Sequence, residues 1–155
     1  MTTTPKVILV PVDGSDSANK AVALAAWMAS HLQLPMKLLF VFPRTPTAMF
    51  GLPGGGMSRE ERQFFQPGGF EKLRDEAAAE AFRRSRPALD NLEVDVEEVV
   101  LAGIPADAIV DHANELDGAL IIMGRRGLSH LKEFLLGSVS ERVLRHAHCP
   151  VMIAG

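Results

Sequence analysis

The chain has 155 residues, 47% hydrophobic and 23% charged, which suits one domain with a true core and an ordinary globular surface. Its formal net charge of −3 supplies no basic face for DNA or RNA, so nucleic acid is not an expected partner. The single cysteine, Cys149, excludes an intrachain disulfide framework, and no apolar run reaches the ~20 residues of a membrane span, which leaves the cytoplasm as the expected compartment.

Taken in chain order, short apolar runs alternate with amphipathic stretches, the pattern of β-α-β units and a parallel sheet. Residues 6–12 (KVILVPV) are apolar on both faces and read as a buried strand, with Pro11 marking where its pairing ends. A helix is expected over 17–33, because Ala18, Ala21, Val22, Ala25, Met28, Ala29 and Leu32 recur at three- and four-residue spacing behind Ser15, Asp16 and Ser17. Residues 36–42 form the second strand. Residues 43–69 then break the pattern with four prolines and six glycines, a long connection expected to be flexible, with one helical turn at the capping pattern Ser58-x-x-Glu61. A helix over 70–86, a strand over 93–101, a helix opening at Pro105, a buried strand over 119–123, a helix over 138–146 and a short strand over 150–154 complete the chain. The expectation is an α/β fold: an open, doubly wound, Rossmann-like parallel sheet of five strands with four helices on both faces, within one domain over 1–155.

In such a sheet ligands bind beyond the carboxyl ends of the strands, where the strand order reverses. Two segments lie at such ends: Val12-Asp13-Gly14-Ser15 after the first strand and Gly124-Arg125-Arg126-Gly127 after the fourth. The second leads to Gly137-Ser138-Val139-Ser140-Glu141. Ser138-x-x-Glu141 reads as a capping box, with Ser138 as N-cap and the amides of Val139 and Ser140 left without helical partners. Free amides at the positive end of a helix dipole suit a phosphate, although an ordinary capped helix has the same pattern. Gly124 and Gly127 lack a Cβ and so admit close approach of a ligand to the backbone, and Arg125 and Arg126 either neutralise phosphates or are solvated. Asp13 suits ribose hydroxyls, a phosphate-bound Mg²⁺, or the cap of the next helix.

The spacing Gly124-x2-Gly127-x9-Gly137-Ser138, together with Asp13-Gly14-Ser15 after strand one and Cys149-Pro150-Val151 near the end, resembles the ATP-binding members of the universal stress protein family over nearly the whole chain. The resemblance implies strand order 3-2-1-4-5, an ATP site between strands one and four with Mg²⁺ held mainly through the phosphates, and homodimers. By position it implies that Pro11, Val12 and Asp13 line base and ribose, and that Val41 bonds the adenine edge through its backbone. Gly103 and Met123 would pack near the nucleoside, while Gly124, Gly127, Gly137, Ser138 and Val139 would hold the phosphates. Members often carry an acid after strand two, where this chain has Pro43 and the long insertion.

No Walker motif Gly-x4-Gly-Lys-Ser/Thr occurs, and His146 and His148 do not make a metal set. Three functions fit the residues: a nucleotide-dependent regulatory stress protein read by an unidentified protein partner, a slow ATPase, and a structural dimer module with an empty pocket. In the implied strand order, residues 150–154 lie at a sheet edge and carry no charge, so the edge is expected to pair with a second copy.

Overall fold

A strand in a parallel sheet begins and ends where its pairing with a neighbouring strand does, and this decides where each apolar run stops. The computed structural model describes residues 4–127 and 136–155. Strands β1 (Val7–Pro11), β2 (Met36–Phe42), β3 (Val96–Ala102), β4 (Ala119–Gly124) and β5 (Val151–Ala154) form one all-parallel sheet in the order β3-β2-β1-β4-β5. The expected doubly wound α/β sheet is therefore present. β3 starts later than its alternating pattern suggests, because Val96 lies opposite Met36, the first residue of β2. Residues 93–95 precede that partner and find no ladder, and Asp95 gives only its carbonyl to the Met36 amide at 2.9 Å. β1 ends at Pro11 as anticipated, and the Val12 N–H makes one last bond to the Leu39 carbonyl at 2.8 Å.

Helices α1 (Asp16–Leu32), α4 (Gly69–Ser85), α5 (Pro105–Asn114) and α6 (Ser138–His146) cover the sheet. Ile8, Val10 and Val12 point to one face, where they meet Ala21, Val22, Ala25 and Ala29 of α1 and Phe82 of α4. Val7 and Leu9 point to the other, against Ile109 and Val110 of α5 and Val143 of α6. The alternation of β1 thus feeds two cores, and truncating a fully buried member such as Ile8 or Leu9 to alanine costs about 2–5 kcal/mol. Alanine at the α1 contact positions lets that helix lie close to the sheet. Its start is fixed by Ser15, whose Oγ accepts the Ala18 amide at 3.1 Å.

The insertion over 43–69 is more ordered than its composition suggests. It holds α2 (Pro46–Phe50) and α3 (Arg59–Gln63), so six α-helices are described where four were expected. At α3 both halves of the capping box form: Ser58 Oγ accepts the Glu61 amide, and Glu61 Oε2 accepts the Ser58 amide. α2 was missed because its prolines were read only as breakers. Thr45-Pro46 is in fact an N-cap followed by proline in the first turn, with Thr45 Oγ1 accepting the Ala48 amide at 3.1 Å. Phe50 stacks on Phe64 at 5.3 Å and joins the two helices. No helix among the described residues is long and apolar enough to cross a membrane.

Candidate functional site

The chain leaves β1 toward β2 on one side, and later returns to build β4 and β5 on the other. Loops at the carboxyl ends of β1 and β4 therefore diverge and open a crevice at the reversal point. A cavity of about 250 Å³ lies there. Of the residues singled out in the sequence, Pro11, Val12, Asp13, Val41, Met123, Gly124, Arg126, Gly127, Gly137, Ser138 and Val139 all line it.

Val41 owes its place to strand geometry. In a parallel strand the N–H and C=O of one residue point to the same side, and the next residue points to the other. The Leu39 carbonyl faces β1, where it accepts the Val12 N–H, whereas the Phe42 carbonyl faces β3 and accepts the Gly103 N–H at 2.9 Å. Val41, two residues beyond Leu39, therefore presents its N–H and C=O toward β1 after β1 has ended. That leaves a donor and an acceptor side by side at the cavity wall, flanked by Leu39, Pro105, Ile109 and Met123. This end suits a flat, mostly apolar group with a polar edge.

The opposite end is built from loops. The carboxylate of Asp13 accepts the Ser15 amide through Oδ1 at 2.9 Å, while Ser15 itself is the cap of α1. Asp13 is thus a turn partner and not the helix cap. Its Oδ2 lies 2.6 Å from where a Cβ on Gly127 would stand. A Cβ on Gly124 would stand 2.5 Å from the Ser17 carbonyl oxygen. A Cβ at either position would therefore meet the protein itself, Ser17 in the first turn of α1 or Asp13 in the loop after β1, so these glycines let the end of β4 and the loop behind it close on that segment. The contact is reinforced by the Arg126 N–H, which donates to Ser17 Oγ at 3.0 Å, and by buried Ser140, whose Oγ donates to the Gly124 carbonyl at 2.8 Å.

The cap of α6 also differs from expectation. Gly137, extended at φ −63° and ψ 153°, is the N-cap, and Ser138 is the first helical residue with no side-chain capping bond. The Glu141 amide goes to the Gly137 carbonyl at 2.9 Å, so the Ser138-x-x-Glu141 box does not close. The cap moved back one residue because the Gly137 N–H is held by the Arg125 carbonyl at 2.8 Å, which fixes that residue in the extended form. The consequence is larger for a ligand than the box would have been: the first-turn amides of Ser138, Val139 and Ser140 all precede the first intrahelical bond. They open at the positive end of the helix dipole.

Gly103 and Arg125 do not join the cavity. Gly103, at φ 136°, lies in an adjoining hollow beside Arg44, separated by Pro105, which borders both spaces. Arg125 follows Gly124 on the far side of the loop, with its Cδ 3.4 Å from where a Cβ on Gly155 would stand. Sequence reading missed Ala18, Leu39, Phe40, Pro105 and Ile109 as lining residues, and Ser140, whose amide is singled out there with that of Val139, also borders the cavity. The alternation of β2 and the amphipathic start of α5 were available signals for Leu39, Pro105 and Ile109.

The model of the universal stress protein family matches residues 5–155. The chain belongs to the universal stress protein family. The universal stress protein MJ0531 of Methanocaldococcus jannaschii is 32% identical over 148 residues, covering 96% of this chain and 81% of that protein. The solved structure of MJ0577 from the same archaeon is 28% identical, with a TM-score of 0.72 over 96% of this chain and 94% of that one. The universal stress protein of Archaeoglobus fulgidus, solved in complex with dAMP, shares the fold at 24% identity and a TM-score of 0.59, covering 100% of both chains.

Proposed function

We propose that this universal stress protein binds ATP in the crevice between β1 and β4 and acts as a nucleotide-dependent regulatory homodimer in the cytoplasm, read by a protein partner. The observation that carries this reading is the polarity of the cavity. Its apolar end offers the unpaired backbone edge of Val41, and its other end offers the first-turn amides of α6. An adenine has a donor and acceptor edge on a flat ring, and a triphosphate is the anion such amides favour. The dAMP held by a protein of the same fold supports an adenine nucleotide as the ligand class. In this reading Asp13 faces the ribose, and Gly127, Gly137, Ser138 and Val139 surround the phosphates. Asp13 is the only carboxylate lining the cavity among the described residues, so Mg²⁺ would be held mainly by the phosphates.

A slow ATPase is less well supported. Phosphoryl transfer requires a positioned base and cationic clamps, whereas Asp13 Oδ1 already accepts the Ser15 amide. Arg126 is the only cationic side chain lining the cavity among the described residues.

Self-pairing is assigned to β5. Ile121 donates to the Pro150 carbonyl and Arg125 to the Ala154 carbonyl, so by alternation Val151 and Ile153 direct their backbone groups away from β4. That outer edge bears no charged side chain, unlike β3 at the opposite edge, where Glu97 pairs with Lys37 and Glu98 with Arg86. The deciding experiment is to purify the protein, denature it and separate the supernatant by anion exchange. Stoichiometric ATP is expected; ADP alone would favour turnover, and the absence of any nucleotide, with no ATP binding by calorimetry, would overturn the reading.

A further inference from the structure

The backbone of Arg125 is bonded on both of its polar groups. Its N–H donates to the carbonyl of Ala154, the last residue of β5, at 3.1 Å, and its carbonyl accepts the N–H of Gly137, the N-cap of α6, at 2.8 Å. One residue thus joins the edge strand to the helix end whose amides face the cavity. The pairing register places Gly124 opposite Ala154, so this junction is also the last step of the β4–β5 ladder.

Ends of short edge strands open at low free-energy cost, and β5 has only four residues. Two separate events would hold this junction closed. A strand paired along the outer edge of β5 would restrain Ile153, and through it Ala154. A phosphate on the α6 amides would restrain Gly137. Each event orders a segment that the other also needs ordered, so whichever comes second loses less conformational entropy.

We propose that nucleotide binding in the crevice and pairing of two copies along β5 are positively coupled through the Arg125 backbone, an inference that rests on the reading given under Proposed function. The coupling is reciprocal: a copy seated on β5 tightens nucleotide binding, and nucleotide tightens self-association by the same factor.

The test compares ATP binding by the wild-type protein above and below its self-association midpoint with binding by Ile153→Pro. Proline there removes an outward-facing donor and leaves the bonds to β4 in place. The expected result is ATP affinity weaker in the monomer by about fivefold or more, with ATP lowering the association midpoint by the same factor. Hydrogen exchange at the Arg125 and Gly137 amides should slow on either event alone. Equal ATP affinity in monomer and dimer overturns the coupling and leaves the nucleotide reading intact. Failure to bind ATP in any state overturns the coupling and the nucleotide reading, whereas failure to self-associate at any concentration overturns the coupling and the homodimer and leaves the nucleotide reading intact. Should Ile153→Pro not fold, the wild-type dilution series gives the same decision.

Discussion

At the apolar end of the crevice, the groups offered to a ligand belong to the sheet itself. Val41 presents backbone atoms positioned by the pairing of Phe40 and Phe42 with β3, and Leu39 and Ile109 beside it are core residues that also serve as wall. At the polar end only Gly124, the last residue of β4, belongs to a ladder. Asp13, Gly127 and Gly137 are kept in place by bonds and close contacts between loops, and the helix amides are available only because α6 begins where it does. Shape at the first end is a by-product of folding, so it tolerates side-chain change. Shape at the second depends on individual residues with little room to vary.

Substitutions should expose this contrast. The largest effect is expected for Gly127→Val, whose branched side chain must displace the Asp13 carboxylate lying 2.6 Å from the Cβ position. ATP binding should fall below detection in calorimetry while the far-ultraviolet circular dichroism stays that of the wild type, since Gly127 lies outside every strand. Wild-type affinity in this variant would remove the basis for a phosphate end. Asp13→Ala comes next. Loss of a charged hydrogen bond to the nucleotide should weaken ATP by about 1.5–3 kcal/mol, roughly 10- to 150-fold. If affinity holds and only the melting temperature of the nucleotide-free protein falls, Asp13 acts solely through the Ser15 turn.

Ser140→Ala should act mainly on stability. It leaves the Gly124 carbonyl without its donor at a buried position, a loss of about 1–3 kcal/mol readable by urea unfolding. Its effect on ATP affinity should be smaller than that of Asp13→Ala, because the hydroxyl supports the loop from behind. The smallest change is expected for Val41→Ala, which keeps the backbone edge and should alter ATP affinity by less than about 1 kcal/mol. A loss there as large as for Asp13→Ala would mean that side-chain packing, not the backbone edge, governs the apolar end.

Elements with strong periodicity were readable in advance. The α1 face, the β2 span and the Ser58-x-x-Glu61 turn all follow from local rules, and the structure carries them nearly as written. The features that escaped depend on partners distant in the chain. Where β3 begins is decided by where β2 begins. Which of Gly137 and Ser138 caps α6 is decided by a hydrogen bond from Gly137 to Arg125. Of the two adjacent arginines, the course of a single loop turns Arg126 toward the crevice and Arg125 toward Gly155. No local spacing contains that information. The residues of the polar end were found early because glycines and a helix start leave marks in the sequence, whereas Leu39 and Ile109 look like any other core residue.

The two outer strands set a limit on how far such sheets can grow. Pairing along β5 by a two-fold axis would consume that edge in both molecules at once. Among the described residues the edges then left belong to β3, where Glu97 and Glu98, paired with Lys37 and Arg86, put charged side chains along the strand. Joining would stop after one event, giving a ten-stranded slab with a charged strand at each end.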